Sequence, residues 1–279
     1  MVVRNLRVLS LSLVFSLLFP IATAFSQVRA KAKLGTNLTV TDSGNWRAIQ
    51  RGVEYRKTAL ERSEPSYTLE LKLLRLDSRT IVPRILFAGD LQIKAATAKT
   101  FAEKTDAIAA INANYFDTKG RPLALLKTAI KEINPSVSKH ALYTGVFGVR
   151  DSSPFVVHRD EVQPAQASEA LQSGPLLLQR GAAVEIMPGL GRYARRAAIG
   201  IDKEGRVIVA ATEALIGGLS FAELQELFGN SKWQIQTSDL LNLDGGGSAQ
   251  LYVKSGKFEE WLAGTSEVPV AVGFFPKTN

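Results

Sequence analysis

The chain has 279 residues, of which 46% are hydrophobic, enough to form the core of one large or two small domains. Its 34 basic and 26 acidic side chains give a formal net charge of +8. No motif interleaves basic and aromatic residues, so the charge suits an anionic partner without indicating nucleic-acid binding. Because cysteine is absent and His140 and His158 are the only histidines, the sequence excludes disulfides, a cysteine nucleophile and a multi-histidine metal site.

The first 24 residues have the pattern of a secretory signal peptide. Arg4 and Arg7 precede an apolar run over residues 8–19, and a small-residue cleavage site ends at Ala24. This run is shorter than the roughly 20 residues that a membrane-spanning helix needs. We therefore expect cleavage after Ala24, no stable membrane insertion afterwards, and a location in the periplasm or outside the cell. An uncleaved N-terminal anchor is the alternative.

Residues 25–45 are polar, basic and aperiodic, and we predict a flexible lead-in there, followed by one domain over 46–279. Residues 67–77 alternate apolar and charged side chains, which is typical of a strand in a half-solvated sheet. Further strands are predicted over 46–55, 83–88, 107–111, 144–150, 154–158, 173–181, 197–201, 206–211 and 268–275.

Helices are predicted over 94–104, 161–171 and 220–228, the last beginning with a capping box formed by Ser220 and Glu223. Many short strands with few helices predict an α+β fold. We expect a single domain with a mixed, largely antiparallel sheet and a few packed helices.

The stretch LLNLDGGGSAQLYV, residues 240–253, is the strongest candidate for a functional site. Three consecutive glycines in a buried strand pattern cost stability, because glycine loses more backbone entropy than alanine and packs no side chain. They are tolerated where the backbone takes a positive φ or lies against a ligand, and their N–H groups can converge on an anion. Asp244 would place an acid, a base or a charge stabiliser beside them. A plain turn capped by Asp244 is the alternative.

Two other stretches carry polar groups beside predicted strands. The segment NANYFD, residues 112–117, follows a buried strand, and asparagine both donates and accepts hydrogen bonds, which suits sugar hydroxyls and phosphate oxygens. Tyr115 either stacks on a sugar or packs in the core. Arg196 ends the densest basic stretch, at the entrance of a strand, where a guanidinium suits bidentate phosphate binding. The alternatives are asparagines that satisfy turn backbone and a solvated basic loop.

Four segments carry a family resemblance: AINANYFD at 110–117, SGPLLLQRG at 173–181, RRAAIGID at 195–202 and NLDGGGSAQLYV at 242–253. In this order and at this spacing they resemble the phosphodiester glycosidase family, many of whose bacterial members are exopolysaccharide-related. The resemblance extends over roughly residues 95–275. Two positions depart from the family pattern: Asn114 stands where a glycine is common, and Ala197 replaces a frequent threonine.

The resemblance implies a hydrolase that acts on a sugar 1-phosphodiester of a cell-envelope or extracellular glycan, without a cofactor or a resident metal. It assigns catalytic roles to Asn112, Arg196 and Asp244. The residues expected to bind substrate are Gly245, Gly246, Gly247, Ser248, Asn114, Tyr115 and Asp117.

Cleavage of the anomeric C–O bond would release a phosphate monoester, which is stable as an anion, so the usual pair of carboxylates can reduce to one. Arg196 would hold the phosphate, Asn112 would orient the substrate, and Asp244 would serve as base, nucleophile or stabiliser of the sugar cation. If a second carboxylate is needed, Asp117, Asp239 and Glu213 are the candidates.

Two other classes of function stay open. A polysaccharide-binding or assembly protein would use the same pocket without hydrolysis. A metal-assisted phosphodiesterase would hold Mg²⁺ or Ca²⁺ with carboxylates near Asp244 and cleave a P–O bond. The positive net charge fits an anionic substrate such as a teichoic-acid-like or phosphorylated capsule polymer.

Overall fold

A computed structural model describes residues 32–34, 37–190 and 192–277. The predicted signal peptide and its cleavage site lie outside these residues. No helix within the described ranges is both long enough and apolar enough to cross a membrane.

Strands dominate the described part of the chain. They are β1 Ala32–Leu34, β2 Leu38–Asp42, β3 Arg47–Gln50, β4 Val53–Ser63, β5 Ser66–Leu76, β6 Ile81–Phe87, β7 Ala109–Asn112, β8 Leu126–Lys127, β9 Glu132–Asn134, β10 Gly145–Arg150, β11 Ser153–His158, β12 Glu169–Ser173, β13 Leu176–Gln179, β14 Ala182–Ala183, β15 Ala197–Asp202, β16 Val207–Glu213, β17 Thr237–Asn242, β18 Leu251–Ser255, β19 Phe258–Leu262 and β20 Val270–Pro276. The α-helices are α1 Ala98–Thr105 and α2 Phe221–Gly229.

The strands form three sheets. The central sheet has the order β1-β2-β4-β5-β16-β15-β17-β13-β14, with β3 paired to β4. The second sheet has the order β11-β10-β12-β8-β9, and the third has the order β19-β18-β7-β20-β6. Neighbouring strands pair antiparallel in all three. The predicted α+β class, with largely antiparallel strands and few helices, is confirmed, and the strands divide among three sheets.

The main core lies where the three sheets meet. The central sheet contributes Leu74 and Ile199 to it, the second sheet Phe147 and the third sheet Ile111, and all four side chains are fully buried. Burial of each such side chain stabilises the fold by about 1.5–3 kcal/mol. The three sheets are therefore held to one another by a continuous apolar interior.

The two helices cover other faces of these sheets. Because successive strand residues point to opposite faces, Leu73 leaves the main core and packs in a cluster with Leu224 and Leu227 of α2. Helix α1 packs Phe101 in a cluster with Tyr252 of the third sheet. The helices predicted before the β7 and β17 strands are thus present.

Two predicted elements differ from the structure. Residues 46–55 form β3 and the start of β4, separated by a turn in which Gly52 has φ +76°. Residues 161–171, predicted as a helix, contain a short 3₁₀ turn, Pro164–Gln166, and the start of β12. The helix prediction was wrong because Glu169 makes a buried strand look solvated; its carboxylate accepts from Ile85 N–H at 2.6 Å and from Arg84 at 2.8 Å.

Strands β1 and β2 lie within the predicted lead-in, residues 25–45. Leu38 and Val40 of β2 are buried and pair opposite Arg62 and Leu60 of β4. Leu38 and Val40 alternate with threonines as in a half-buried strand, but over so few residues that the sequence pattern is weak. This part of the chain therefore belongs to the edge of the central sheet.

Helix α2 is anchored to the central sheet by a buried ion pair. The capping box is present: the Ser220 side chain accepts from the N–H of Glu223, and the Glu223 carboxylate accepts from the N–H of Ser220. The same carboxylate accepts from Nη2 of Arg62 at 2.6 and 2.8 Å, and the Arg62 side chain is only 1% exposed. The Glu223 carboxylate thus accepts hydrogen bonds both from the backbone at the start of α2 and from the buried Arg62 guanidinium.

We expect Glu223→Gln to lower the free energy of unfolding by about 3 kcal/mol, because it leaves the Arg62 charge buried without its counter-ion. Urea unfolding at neutral pH measures the loss. Glu226→Gln, on the exposed side of the same helix, is the matched control and should change the free energy of unfolding by less than about 0.5 kcal/mol. Equal losses in the two variants would contradict a stabilising role for the buried pair.

Candidate active site

Asp244 lies where the chain passes from the central sheet to the third sheet, in the link between β17 and β18. Two backbone hydrogen bonds hold this link. The N–H of Leu243 donates to the carbonyl of Ala197 at 2.8 Å, and the N–H of Asp244 donates to the carbonyl of Ala113 at 2.9 Å. The link is therefore held against the start of β15 and the end of β7, and three of the four family segments meet at Asp244.

The carboxyl group of Asp244 titrates near neutrality. Burial raises its pKa to about 6, while hydrogen bonds from the Ser248 side chain and the Gly245 N–H act in the opposite direction. Burial outweighs these bonds because it removes water from the charged form. At neutral pH the group is therefore mostly ionised, yet it lies close to its titration point.

The three glycines after Asp244 are favoured for different steric or conformational reasons. A Cβ on Gly245 would lie 2.7 Å from the carbonyl oxygen of Arg195, and one on Gly247 would lie 2.6 Å from Oγ1 of Thr265. Gly246 has φ +58°, a conformation that favours glycine, and a Cβ there would meet open space. The three glycines thus allow a tight turn between two packed neighbours, with Gly246 on its open side.

Most of the N–H groups of this turn serve the protein itself. The Gly245 N–H donates to the Asp244 carboxylate, the Gly246 N–H to the carbonyl of Arg195 at 2.9 Å, and the Ser248 N–H to the carbonyl of Gly245 at 3.1 Å. The turn therefore orients the carboxylate and holds itself in place. Direct substrate contact by Gly245, Gly246, Gly247 and Ser248 stays a prediction.

Arg196 is a buried cation beside the turn. Its Nε donates to the carbonyl of Leu219 at 2.8 Å, its Nη2 donates to the carbonyl of Arg192, and its guanidinium lies 4.0 Å from the ring centroid of Phe221. Its Nη1 lies 3.8 Å from the position of a Cβ on Gly245, so the guanidinium borders the same turn as the Asp244 carboxylate.

Arg196 forms no ion pair with any described residue. Burial lowers its pKa, although the charge of Glu223, which pairs with Arg62, acts to raise it, and an arginine stays protonated in proteins. A buried charge without a counter-ion is costly. The arrangement therefore suits an anionic ligand, and phosphate binding by Arg196 stays our prediction.

Asn112 positions the link that carries Asp244. Its side chain is fully buried; Oδ1 accepts from the N–H of Gln250 at 3.0 Å, and Nδ2 donates to the backbone carbonyl of Asp244 at 2.6 Å. These contacts favour a positioning role over the predicted contact with substrate, because both ends of the amide are engaged by backbone.

Tyr115 and Asn114 lie at the base of the site. The Tyr115 hydroxyl donates to the carbonyl of Gly174 at 3.1 Å, which brings the remaining family segment, residues 173–181, into the same place. Burial and the Asp244 charge raise the pKa of Tyr115. Asn114 is 2% exposed, and its Oδ1 has no partner among the described residues. The Tyr115 side chain is half-buried, and substrate contact by its ring stays a prediction.

The sequence reasoning missed Asn242. The side chain is fully buried, and its Nδ2 lies 3.1 Å from the Tyr115 hydroxyl and 2.8 Å from the carbonyl of Gly174. Its Oδ1 is buried with no partner in the described part of the chain. A polar residue directly before the apolar Leu243 and the glycine motif was the available signal.

The sequence reasoning also missed an aromatic wall formed by Tyr115, Tyr143 and His140. The ring centroids of Tyr115 and Tyr143 are 5.3 Å apart, and those of Tyr143 and His140 are 4.9 Å apart. Burial and the Asp244 charge raise the pKa of Tyr143. The wall runs from half-buried Tyr115 and Tyr143 to exposed His140. No local pattern marks it, because residues 140–143 meet the site only through the fold.

The other carboxylates that the sequence offered are engaged elsewhere. Asp117 accepts from the N–H groups of Lys119 and Arg121 and pairs with the Arg121 side chain, and these contacts hold its pKa below the usual range. Asp239 accepts from the N–H of Arg180 at 2.8 Å, and Glu213 pairs with Lys72. None of the three hydrogen-bonds Asp244 or Arg196, so substrate binding by Asp117 stays a prediction without support from these contacts.

Across residues 32–34, 37–190 and 192–277, no group of three or more histidine, cysteine, aspartate and glutamate side chains is arranged to hold a metal ion. The site is therefore described by one carboxyl group, one buried guanidinium and the polar and aromatic side chains around them.

We expect Asp244→Asn to raise the free energy of unfolding at pH 7 by up to about 3 kcal/mol, because an ordinary aspartate has a pKa of about 3.9 in the unfolded chain. The folded pKa is the higher one, so the destabilisation is fully present above pH 6 and disappears as the pH falls below about 4. Urea unfolding at pH 7 and pH 4 measures it.

Asp117→Asn is the control of opposite sign, because the folded pKa of Asp117 is lowered and its neutralisation removes favourable contacts. A stability gain in Asp244→Asn that does not change with pH would contradict burial of the Asp244 charge as its cause.

Comparison with known proteins gives this site a family. The family model described as phosphodiester glycosidase matches residues 105–275, which include Asn112, Arg196 and Asp244. The fold is similar to that of the zebrafish N-acetylglucosamine-1-phosphodiester alpha-N-acetylglucosaminidase catalytic domain auto-inhibited by its pro-peptide, with a TM-score of 0.62, 15% identity, and coverage of 85% of this chain and 88% of that one.

Two bacterial structures are similar as well. A hypothetical protein from Synechocystis has a TM-score of 0.64 and 15% identity, with 84% of this chain and 64% of that chain covered. A protein from Burkholderia pseudomallei K96243 that is proposed to be exported has a TM-score of 0.56 and 11% identity, with 75% and 74% covered. No curated protein matches the chain. The family match covers more than half of the sequence, and on this ground the chain belongs to the phosphodiester glycosidase family.

Proposed function

We propose that the protein is an exported hydrolase that cleaves the glycosidic C–O bond of a sugar 1-phosphodiester in a cell-envelope or extracellular glycan. One observation carries the proposal: the Asp244 carboxyl group and the buried Arg196 guanidinium, which has no ion pair among the described residues, both border Gly245 in a member of this family. An anionic phosphate beside an anomeric carbon is the substrate that such a pair suits.

The electron flow assigns one role to each group. When the C1–O bond breaks, its electron pair passes to the phosphate oxygen, where Arg196 stabilises the negative charge, and positive charge develops at the sugar ring. Asp244 then takes a proton from the water that attacks C1, or attacks C1 itself to form a glycosyl ester, which water hydrolyses to release the sugar and restore the carboxylate. Both routes need the ionised carboxyl group. A phosphate monoester leaves as a stable anion, so no second carboxyl group is required as acid.

The sugar would lie along the aromatic wall. Tyr115 and Tyr143 are half-buried and His140 is exposed, and the Asp244 charge raises the pKa of Tyr143. An aromatic ring offers an apolar face to the C–H side of a sugar and a polar edge to its hydroxyls. Tyr115 and Asn112 would support this arrangement from behind, as positioning residues.

Two observations support export. The N-terminal sequence has the order of a signal peptide, and one of the structurally similar proteins is proposed to be exported. The substrate would then be a glycan of the envelope or the surroundings of the cell.

A polysaccharide-binding protein is the second candidate, because no other carboxylate of the described residues hydrogen-bonds Asp244 or shifts its pKa, whereas most glycoside hydrolases use a pair. Such a protein would bind glycan equally well with Asp244 or asparagine at this position and would turn over no sugar phosphodiester.

We expect wild-type protein to hydrolyse a methyl-phosphodiester of a sugar 1-phosphate, tested over a panel of sugars in ¹⁸O-labelled water. Attack at C1 leaves the released phosphomonoester unlabelled, whereas attack at phosphorus labels a phosphate product. Asp244→Asn should lower kcat/KM by roughly 10³-fold or more, because it removes the ionised group at the anomeric centre. Mass spectrometry of the phosphate product identifies the bond that breaks.

Asp239→Asn is the matched control, since Asp239 lies on β17, the strand before the link that carries Asp244, and its carboxylate accepts from the Arg180 N–H. It should keep wild-type kcat/KM. Full activity of Asp244→Asn would refute the proposed mechanism. Label from ¹⁸O in the phosphate product would show that the P–O bond is cleaved instead. Loss of activity with EDTA would show that the reaction needs a metal ion.

The pH profile should show an acid limb near the pKa of Asp244. We expect kcat/KM to fall tenfold for each pH unit below about 6, because the protonated carboxyl group can neither attack nor act as base. Ser248→Ala removes a hydrogen bond that lowers this pKa, so the limb should move to higher pH. Ser255→Ala, at the far end of β18, should leave the limb in place. If the acid limb does not move in Ser248→Ala, a group other than Asp244 titrates there.

A further inference from the structure

A groove of about 930 Å³ lies beside the glycine turn. It is bordered by β4 and β5 of the central sheet, by the loop after β16 and by the end of β19. Its lining includes Glu70, Arg195, Glu213, Leu215 and Trp261.

Arg195 connects the groove to the candidate active site. Its backbone carbonyl accepts from the N–H of Gly246 at 2.9 Å, and its side chain lines the groove. Its Nη2 donates to the carbonyls of Ala249 and Ala263 at 2.8 and 2.6 Å, and Ala263 also lines the groove. A ligand that leaves the glycine turn on this side therefore enters the groove next to Arg195.

Arg195 is the cation of the groove that has no ion pair among the described residues. Glu70 pairs with Lys57 at 2.9 Å, and Glu213 pairs with Lys72, which also pairs with Glu260. Burial lowers the pKa of Arg195, and the charge of Glu213 acts in the opposite direction. The Arg195 Nε is buried without a hydrogen-bond partner among the described residues. A guanidinium that backbone carbonyls hold in place is oriented for an anionic ligand.

The mouth of the groove carries apolar surface. Leu215 is 103% exposed, Ile216 62% and Trp261 45%. The Nζ atom of Lys99 lies 5.2 Å from the centroid of the Trp261 ring. Aromatic and aliphatic surface beside polar side chains such as Thr68 is the composition that binds the faces and hydroxyls of sugars.

We propose that this groove binds the aglycone of the substrate as a saccharide chain, and that Arg195 binds a second anionic group on that chain. The inference rests on the proposed function and adds the substrate class: an anionic glycan, in which one negative group lies at the cleaved bond and another lies in the groove. Trp261 stacks on a sugar ring between them.

The test uses four synthetic substrates with the same sugar 1-phosphodiester and different aglycones. The aglycones are methyl, a neutral disaccharide, the same disaccharide with a terminal phosphate, and one with a uronic acid carboxylate. Wild-type kcat/KM should be roughly 10- to 100-fold higher for an anionic disaccharide than for the neutral one, the range expected for a charge-assisted hydrogen bond. The phosphate and carboxylate arms identify which anion Arg195 prefers.

Arg195→Gln should reduce the anionic-to-neutral ratio to near one. Trp261→Ala should reduce the preference of both disaccharides over methyl. Lys257→Gln removes the same charge from the turn between β18 and β19 and should keep both ratios. Each ratio compares kcat/KM for two substrates on the same variant, so it does not depend on the folded fraction of that variant. A destabilised Arg195→Gln protein therefore still gives a valid anionic-to-neutral ratio.

Equal kcat/KM for anionic and neutral disaccharides in the wild type, or a ratio that survives Arg195→Gln, would overturn the proposal while hydrolysis itself stands. If no substrate is hydrolysed, the proposed function has failed, and the groove is tested by calorimetric binding of the phosphorylated and neutral disaccharides to the wild type and to Arg195→Gln. Equal Kd values for the two ligands would then reject the anionic-glycan site.

Discussion

The site depends on the short link that joins β17 to β18. Two backbone hydrogen bonds, from Leu243 to Ala197 and from Asp244 to Ala113, fix the link to both sheets that it joins. Because the Asp244 side chain belongs to this link, its position follows from how the central and third sheets pack, and hydrophobic side chains of both sheets share one buried cluster. A shift of one sheet against the other would move the carboxyl group relative to Arg196, whose contacts run to the loop and helix over the central sheet.

The electrostatics of the site oppose the stability of the fold. Burial raises the pKa of Asp244, and burial leaves the Arg196 guanidinium with carbonyl partners and an aromatic ring in place of a counter-ion. Both effects destabilise the unliganded protein, as is expected where a site is organised for charge that only the substrate brings. The Arg62–Glu223 pair illustrates the contrast, because there a buried guanidinium has its carboxylate and serves only to hold helix α2.

Sequence reasoning predicted the fold class, most strands and the capped helix α2, since alternation, glycine turns and capping residues are local signals. It also named Asp244, Arg196 and Asn112. It failed where a role depends on contacts that are distant in sequence. Glu169 made the buried strand β12 look solvated, because its partner, the Ile85 N–H, is far away in the chain. Tyr143 reaches the site because Gly174 packs against Leu142, and a Cβ on Gly174 would lie 1.9 Å from the Leu142 carbonyl oxygen. The division of strands among three sheets likewise follows from pairing that no single segment encodes.

Arg195 and Arg196 are adjacent in sequence and diverge in space. Arg196 reaches Leu219 and Phe221 beside helix α2, whereas Arg195 reaches Ala249 and Ala263 beside the third sheet. Successive side chains of an extended chain point to opposite sides, so one short segment supplies two separate cations. Neither forms an ion pair within the described residues, and packing alone would favour apolar side chains at both positions. Arg195 accepts from the Gly246 N–H through its backbone, and Arg196 lies beside Gly245, so the pair favours a ligand with two anionic groups.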